Sequence, residues 1–306
     1  MLNLRKISHM LYTVHIPRNF LQYFISVIVF YTIFGEISLG KAILGGIAFT
    51  FSYQFAYALN DLVDYKYDIR DKRLVKKKQS LNYPLHSGIV KSKELLKFSI
   101  IVFSIGILLA SLVNPIFLLT QLSLFIFIFL HSNPFFRIKS VNLLLYFNMI
   151  IIQFIKFSLG WFSQTTSLES FPYWLILLFS LVYVTAYRYY KSHFLTNLKI
   201  SNLIDFLLLS ALLTSYTFSI ILYDVIVPLI FTTISSLILY FFYFERLNSL
   251  KEKMQKGISV IELFYLVLAF SLILTRLNPT IFHINYVLIE ALKSNSIIYF
   301  IKNLFI

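Results

Sequence analysis

Apolar runs recur along the whole chain, and most are long enough to matter to a lipid bilayer. "FLQYFISVIVFYTIF", "AILGGIAFTFSYQFAYAL" and "IIVFSIGILLASLV" are examples, each set off by a short polar segment. A hydrocarbon core about 30 Å thick takes about 20 residues to cross as a helix, and lipid offers no partner to open backbone groups. Runs at about 19–34, 42–60, 98–113, 116–131, 141–162, 173–189, 203–223, 226–244 and 260–277 therefore predict nine spans. The seven prolines all fall in loops or near span ends, where a missing N–H costs least. Of 306 residues, 58% are hydrophobic and 13% charged, against roughly 25% charged in soluble domains. The expected fold class is an all-α polytopic membrane protein, a bundle of about nine transmembrane helices around a central cavity. One domain is expected over 1–306, with 279–306 as an interfacial amphipathic helix.

Charge gives orientation. The basic tail (Arg5, Lys6, Arg18) leads into the first run with no small-residue cleavage site, which reads as an uncleaved span. With the N-terminus in the cytoplasm, segments on that side hold most of the 27 Lys and Arg: three in the tail, ten in 61–97, two in 132–140, three at 188–202 and four in 245–259. The opposite loops hold almost none. That asymmetry predicts an integral multi-pass protein with cytoplasmic N-terminus and active-site loops, in the plasma membrane if prokaryotic. There are no cysteines, so disulfides, thiolate nucleophiles and Cys-ligated zinc are excluded. The basic charge follows topology and implies no nucleic acid. The six histidines, His9, His15, His86, His131, His193 and His283, show no metal-ligand spacing and read as packing or loop residues.

Against this background "NDLVDYKYD", Asn60 to Asp68, spends three of only 13 acids in nine residues. On a helix advancing about 100° per residue, Asn60, Asp64, Asp68 and Asp61 share one face about a quadrant wide. Carboxylates so close repel unless cations or solvent lie between them. Hard oxygen ligands at a membrane rim suit Mg²⁺, which takes one or two carboxylates and bridges to phosphate oxygens. Such an ion neutralises a departing diphosphate. The alternative is a solvated helix end whose acids are balanced by Lys66, Arg70, Lys72 and Arg73.

Asn60-Asp61-xx-Asp64-xxx-Asp68 resembles the NDxxDxxxD signature of the UbiA-type intramembrane prenyltransferase superfamily, whose nine-helix architecture matches the span count. "YPLHSGIVKSKELL", Tyr83 to Leu96, is similar to its RPL-x-SG-x-I segment, and "HSNPFFRIKS", His131 to Ser140, to its YS-x-x-L-K-R loop. The resemblance implies Mg²⁺ and donor diphosphate at Asn60, Asp61, Asp64 and Asp68, with Asp61 and Asp64 as the catalytic pair. It implies diphosphate contacts for Arg137 and Lys139. Tyr83 stands where the family has Arg, His131 where it has Tyr, and Phe136 where it has Lys. The stretch between Asp68 and Gly88 is longer than usual, and Lys77 and Lys78 within it are candidates to supply the charge.

Many aromatic-prenylating members carry a second aspartate motif after the sixth span. Here "AYRYYKSHFLTNLKIS" contains no acid, and Arg188 and Lys191 make it basic, which suits direct contact with an anionic lipid headgroup. "LLTSYTFSIILYD" and "FIKFSLGW" resemble segments of the decaprenyl-phosphate phosphoribosyltransferase branch. Lys156, in the second of these, is an isolated charge in an apolar run; such a group either serves a site or snorkels to an interface. The branch implies transfer of phosphoribosyl from phosphoribosyl diphosphate to a polyprenyl phosphate. The alternatives are transfer of a polyprenyl chain from its diphosphate to an aromatic or lipid acceptor, with a second metal site around Asp205, and a non-catalytic lipid-binding relative. A transporter would place its charges at mid-membrane rather than at one face.

Overall fold

The computed structural model describes residues 6–7, 10–11, 16–70, 75–76, 78–79, 83–133, 138, 142–194, 202–223, 265–274 and 276–277. Within them lie eight helices: α1 (Ile16–Phe34), α2 (Leu39–Asp68), α3 (Ser92–Val113), α4 (Pro115–Ser132), α5 (Asn142–Phe162), α6 (Tyr173–Phe194), α7 (Asn202–Tyr223) and α8 (Tyr265–Leu274). Each coincides with an apolar run. The run at 226–244 and the segment 279–306 lie outside the described residues. Four helices are long and apolar enough to cross a membrane, those at Leu39–Tyr65, Ser92–Val113, Pro115–Ser132 and Leu143–Phe162.

The chain divides into two compact units, Met1–Phe24 with Ser38–Ser167, and Ile25–Ile37 with Leu168–Ile306. The first holds the acidic motif. At its centre α2 lies along α3, and the approach is close because Gly106 has no side chain. A Cβ there would sit 2.6 Å from the Ser52 amide nitrogen. Small residues serve membrane helix pairs in this way, since dispersion contacts replace the hydrophobic effect in lipid. Gln121 of α4 donates to Ser52 Oγ of α2, which burial makes a valuable tie.

α3 and α4 form a hairpin on a single residue. Asn114 is extended (φ −174°), its side chain accepts from the Phe117 amide at 2.8 Å, and Pro115 opens α4. Its amide also donates to the Phe162 carbonyl at 2.6 Å, tying the hairpin to α5. Both hairpin helices expose rows of large apolar residues, among them Ile101, Leu108, Leu112, Leu119, Ile126 and Phe129. Such a surface is stable against lipid and unstable against water. In the second unit α6 packs on α7, Trp174 stacks on Phe218 with ring centroids 4.5 Å apart, and Tyr265 of α8 donates to the Phe179 carbonyl at 2.7 Å.

Candidate functional site

At 30 residues, α2 is about 45 Å long. That exceeds the hydrocarbon core, so its last turns stand beyond the apolar span that ends at Tyr65. The helix therefore runs unbroken through the acidic motif, eight residues further than the apolar run at 42–60. The placement is electrostatically costly. The last carbonyls of a helix add about half a negative charge where the chain already sets three carboxylates.

What offsets that cost is a basic and aromatic loop folded back against the helix end. Asp61 is 1% exposed, while Asp64 and Asp68 are partly buried. The Lys78 ammonium pairs directly with Asp68 Oδ2 and lies 3.6 Å from Asp61 Oδ1, so one cation spans two acids seven residues apart. Tyr83 lies under the same ammonium, with its ring centroid 5.1 Å from Nζ. Of the cations near the motif, the loop thus brings Lys78 onto it, while Arg70 is exposed.

His86 completes the arrangement. Its Nδ1 lies 3.3 Å from Asp61 Oδ1 and its Nε2 3.5 Å from Asp68 Oδ2, and the side chain is wholly buried. Sequence reasoning read this residue as a packing or loop residue; it does lie buried in a loop, but against both acids. Local chemistry explains its placement. The segment Tyr83–Gly88 is a tight turn, closed by the Ser87 amide on the Tyr83 carbonyl at 2.9 Å and the Ser87 hydroxyl on the Pro84 carbonyl at 2.9 Å. Gly88 leaves it at φ +71°, where an L side chain is strained. Leu85 and Val90 anchor the turn in an apolar cluster with Met10, Ala58 and Leu95, which turns His86 toward Asp61. Tyr65 and Tyr83 set their edges against the imidazole. Burial holds His86 below its ordinary 6.5 despite the pull of Asp61, so it is neutral at pH 7. A neutral imidazole has one N–H to share between the two acids, and Lys78 brings the full positive charge.

Asn60 faces the end of α4, where the Ser132 hydroxyl lies 3.5 Å from its Oδ1. Next to it His131 meets Asn148 of α5 at 3.2 Å. Lys156 lies apart from the acids. It is 2% exposed, donates to Asn19 Oδ1 at 2.9 Å, and sits 4.5 Å from the Tyr53 ring centroid. Asn19 in turn donates to the Tyr57 hydroxyl at 3.0 Å. This lysine does not snorkel: protein dipoles and a π face solvate it from within. Arg188 is buried on α6, in the second unit. Lys77, Arg137 and Lys139 lie outside the described residues, as do the side chains of Lys191 and Asp205.

The UbiA prenyltransferase family profile matches residues 21–268. The chain belongs to that family. It is accordingly a membrane transferase whose reaction releases diphosphate. Among solved structures, a UbiA homologue from Archaeoglobus fulgidus bound to DMAPP and Mg²⁺ has a TM-score of 0.56 at 20% identity, covering 87% of this chain and 98% of that one. The same homologue bound to GPP and Mg²⁺ has a TM-score of 0.55 at 20% identity, over 86% and 99%. A structure of digeranylgeranylglyceryl phosphate synthase in membranes has a TM-score of 0.55 at 18% identity, over 89% and 99%. No curated protein matches the sequence.

Whether the UbiA acids here fit a divalent cation can be tested on their geometry. Among the described residues no three His, Asp or Glu side chains already converge at metal-binding distances. The oxygens of Asp61 and Asp68 do converge on one cation, the protein's own Lys78 ammonium. Hard, anionic oxygens gathered around a positive centre are the donor chemistry that Mg²⁺ takes. By donor chemistry the residues suit the ion.

Proposed function

We propose that the chain is a Mg²⁺-dependent transferase that holds a diphosphate donor at Asn60, Asp61, Asp64 and Asp68. On this reading it moves phosphoribosyl from phosphoribosyl diphosphate to a polyprenyl phosphate. The observation that carries the donor half is the ammonium of Lys78 spanning Asp61 and Asp68 at the end of α2. Oxygens of two carboxylates that converge on one positive centre offer the donor set a divalent ion takes. When bound, Mg²⁺ would neutralise charge on the departing diphosphate. Asn60, Asp61, Asp64 and Asp68 would hold the ion against the donor. Lys78, with Lys77, Arg137 and Lys139, would contact its phosphate oxygens. His86, neutral and buried, would fix the rotamers of Asp61 and Asp68.

The acceptor half rests on Lys156. A lysine buried among Asn19, Tyr53 and Tyr57 suits an anionic oxygen such as a lipid phosphate, which would be held ready to attack the donor carbon. Tyr53 and Asp61 lie on one stripe of α2, eight residues apart, or about 12 Å along the axis. Arg188 and Lys191, on α6, would contact an anionic headgroup. The bundle would number nine helices, with its acidic rim facing the cytoplasm. A second reading, transfer of a polyprenyl chain from its diphosphate to an aromatic or lipid acceptor, is favoured by the donors of the similar structures, DMAPP and GPP.

Purified protein with Mg²⁺ separates the two. The first reading expects diphosphate release from phosphoribosyl diphosphate only when polyprenyl phosphate is supplied. Consumption of a polyprenyl diphosphate with a phenolic acceptor would establish the second instead. In either case Asp61→Asn should lower turnover by on the order of 10²–10³ while membrane insertion and abundance stay normal. Full activity of that variant in washed membranes at saturating donor removes the metal assignment.

A further inference from the structure

We propose that Lys78 is a tethered cation that competes with the metal ion for Asp61 and Asp68 until a donor diphosphate draws it away. The proposal rests on the metal reading above and concerns what this chain adds to it. Its ammonium occupies the position a cation must take to serve both acids, paired with Asp68 Oδ2 and 3.6 Å from Asp61 Oδ1. The Asp61 side chain is fully buried, and the His86 imidazole beside it is shared with Asp68. Held there, Lys78 offsets the charge of the two carboxylates, and an arriving divalent ion must displace a like charge from the place it needs.

The lysine has somewhere to go. It enters from the loop side rather than from α2, and its own side chain is 17% exposed, at the mouth of the site. A flexible four-carbon stem lets the ammonium move while its backbone stays. A diphosphate set against the metal presents several anionic oxygens at that mouth, so Lys78 exchanges two carboxylates for phosphate oxygens. Metal and donor are thereby coupled: each makes room for the other. The metal would bind weakly alone and firmly with donor, which keeps an empty site from being locked by the ion.

Two affinities then respond to one substitution in opposite directions. Lys78→Met in the full chain in detergent should bind Mn²⁺ alone, followed by the EPR signal of the free ion, roughly tenfold more tightly than the parent. The same variant should bind magnesium diphosphate, titrated calorimetrically at excess Mg²⁺, roughly tenfold more weakly. Lys78→Arg, which keeps the charge, should match the parent in the Mn²⁺ titration, and Lys78→Gln should follow Lys78→Met. Mn²⁺ binding by Lys78→Met no tighter than the parent's overturns the competition, and unchanged diphosphate affinity overturns the exchange. Adding Asp61→Asn to Lys78→Met separates this idea from the reading beneath it. Loss of the tight Mn²⁺ site in the double variant places the ion at Asp61 and supports the proposal. Its persistence puts the ion elsewhere, so that the metal assignment falls and the proposal falls with it.

Discussion

Two buried charges of opposite sign sit on or against α2, and the protein keeps them by different means. Asp61, near the cytoplasm-side end expected from the charge pattern, is met by partners on a loop, the Lys78 ammonium and the His86 imidazole. Lys156, deeper in the bundle, is met by fixed groups on helices: the Asn19 amide oxygen and the Tyr53 ring. Ionic partners on a loop can be exchanged for a metal or a phosphate, because the charge they neutralise is left behind for the newcomer. Dipoles and a ring on packed helices stay in place and hold a preformed orientation. On the proposed reading the first region takes a ligand that arrives and leaves with its own charge, and the second positions the acceptor.

The sharpest way to break this contrast is to remove His86. It touches both acids, so His86→Ala should cost activity roughly 10–100-fold, as loss of a group orienting metal ligands commonly does. His86→Gln should recover part of the loss by offering an amide to the same carboxylates. The effect should fall on Mn²⁺ affinity and on turnover, with the acceptor KM unmoved. A change confined to the acceptor KM would mean that the loop does not serve the metal end at all.

Lys156→Met tests the other half with a smaller effect. Methionine occupies similar volume and leaves the apolar surroundings filled. The lost hydrogen bond and cation–π contact are together worth about 2 kcal/mol, which corresponds to roughly a 30-fold change if all of it bears on the acceptor. The expected signature is a raised acceptor KM with donor KM unchanged, in contrast to the loop variants. Equal effects on both substrates would make Lys156 a structural residue of the bundle.

The two regions also differ in how far the sequence discloses them. Helix positions follow from hydropathy and period, which are local properties, and each described helix falls on an apolar run. The face shared by Asn60, Asp61, Asp64 and Asp68 is likewise local, since α2 continues through it. Lys156 is visible as a lone charge among apolar residues, but its partner Asn19 lies 137 positions away and nothing in the spacing reveals it. At the acidic end, nothing in the spacing singles out Lys78 from the other cations of its loop. The choice depends on how the loop returns, which Leu85 and Val90 decide by burying themselves against Ala58. His86 was missed for the same reason. The available signal was its position inside a turn bounded by Pro84 and Gly88, within a segment that already resembled a family motif.

Gly88 offers the gentlest test of that return. At φ +71° it takes a conformation that costs an L-residue about 1–2 kcal/mol, and a Cβ there would meet nothing within 4 Å. Gly88→Ala therefore adds backbone strain without a clash. Asn tolerates the left-handed region better than Ala, so Gly88→Asn should lie nearer the parent in thermal unfolding. If the turn is what delivers His86 to the acids, Gly88→Ala should lose some Mn²⁺ affinity in the same direction as His86→Ala, by a few-fold at most, and leave the acceptor KM alone. Should Ala and Asn prove indistinguishable from glycine in both stability and metal binding, the turn is slack. The placement of His86 would then have to come from Leu85 and the tyrosine edges around the imidazole, and the loop would differ from the Lys156 region in charge alone, not in how its partners are held.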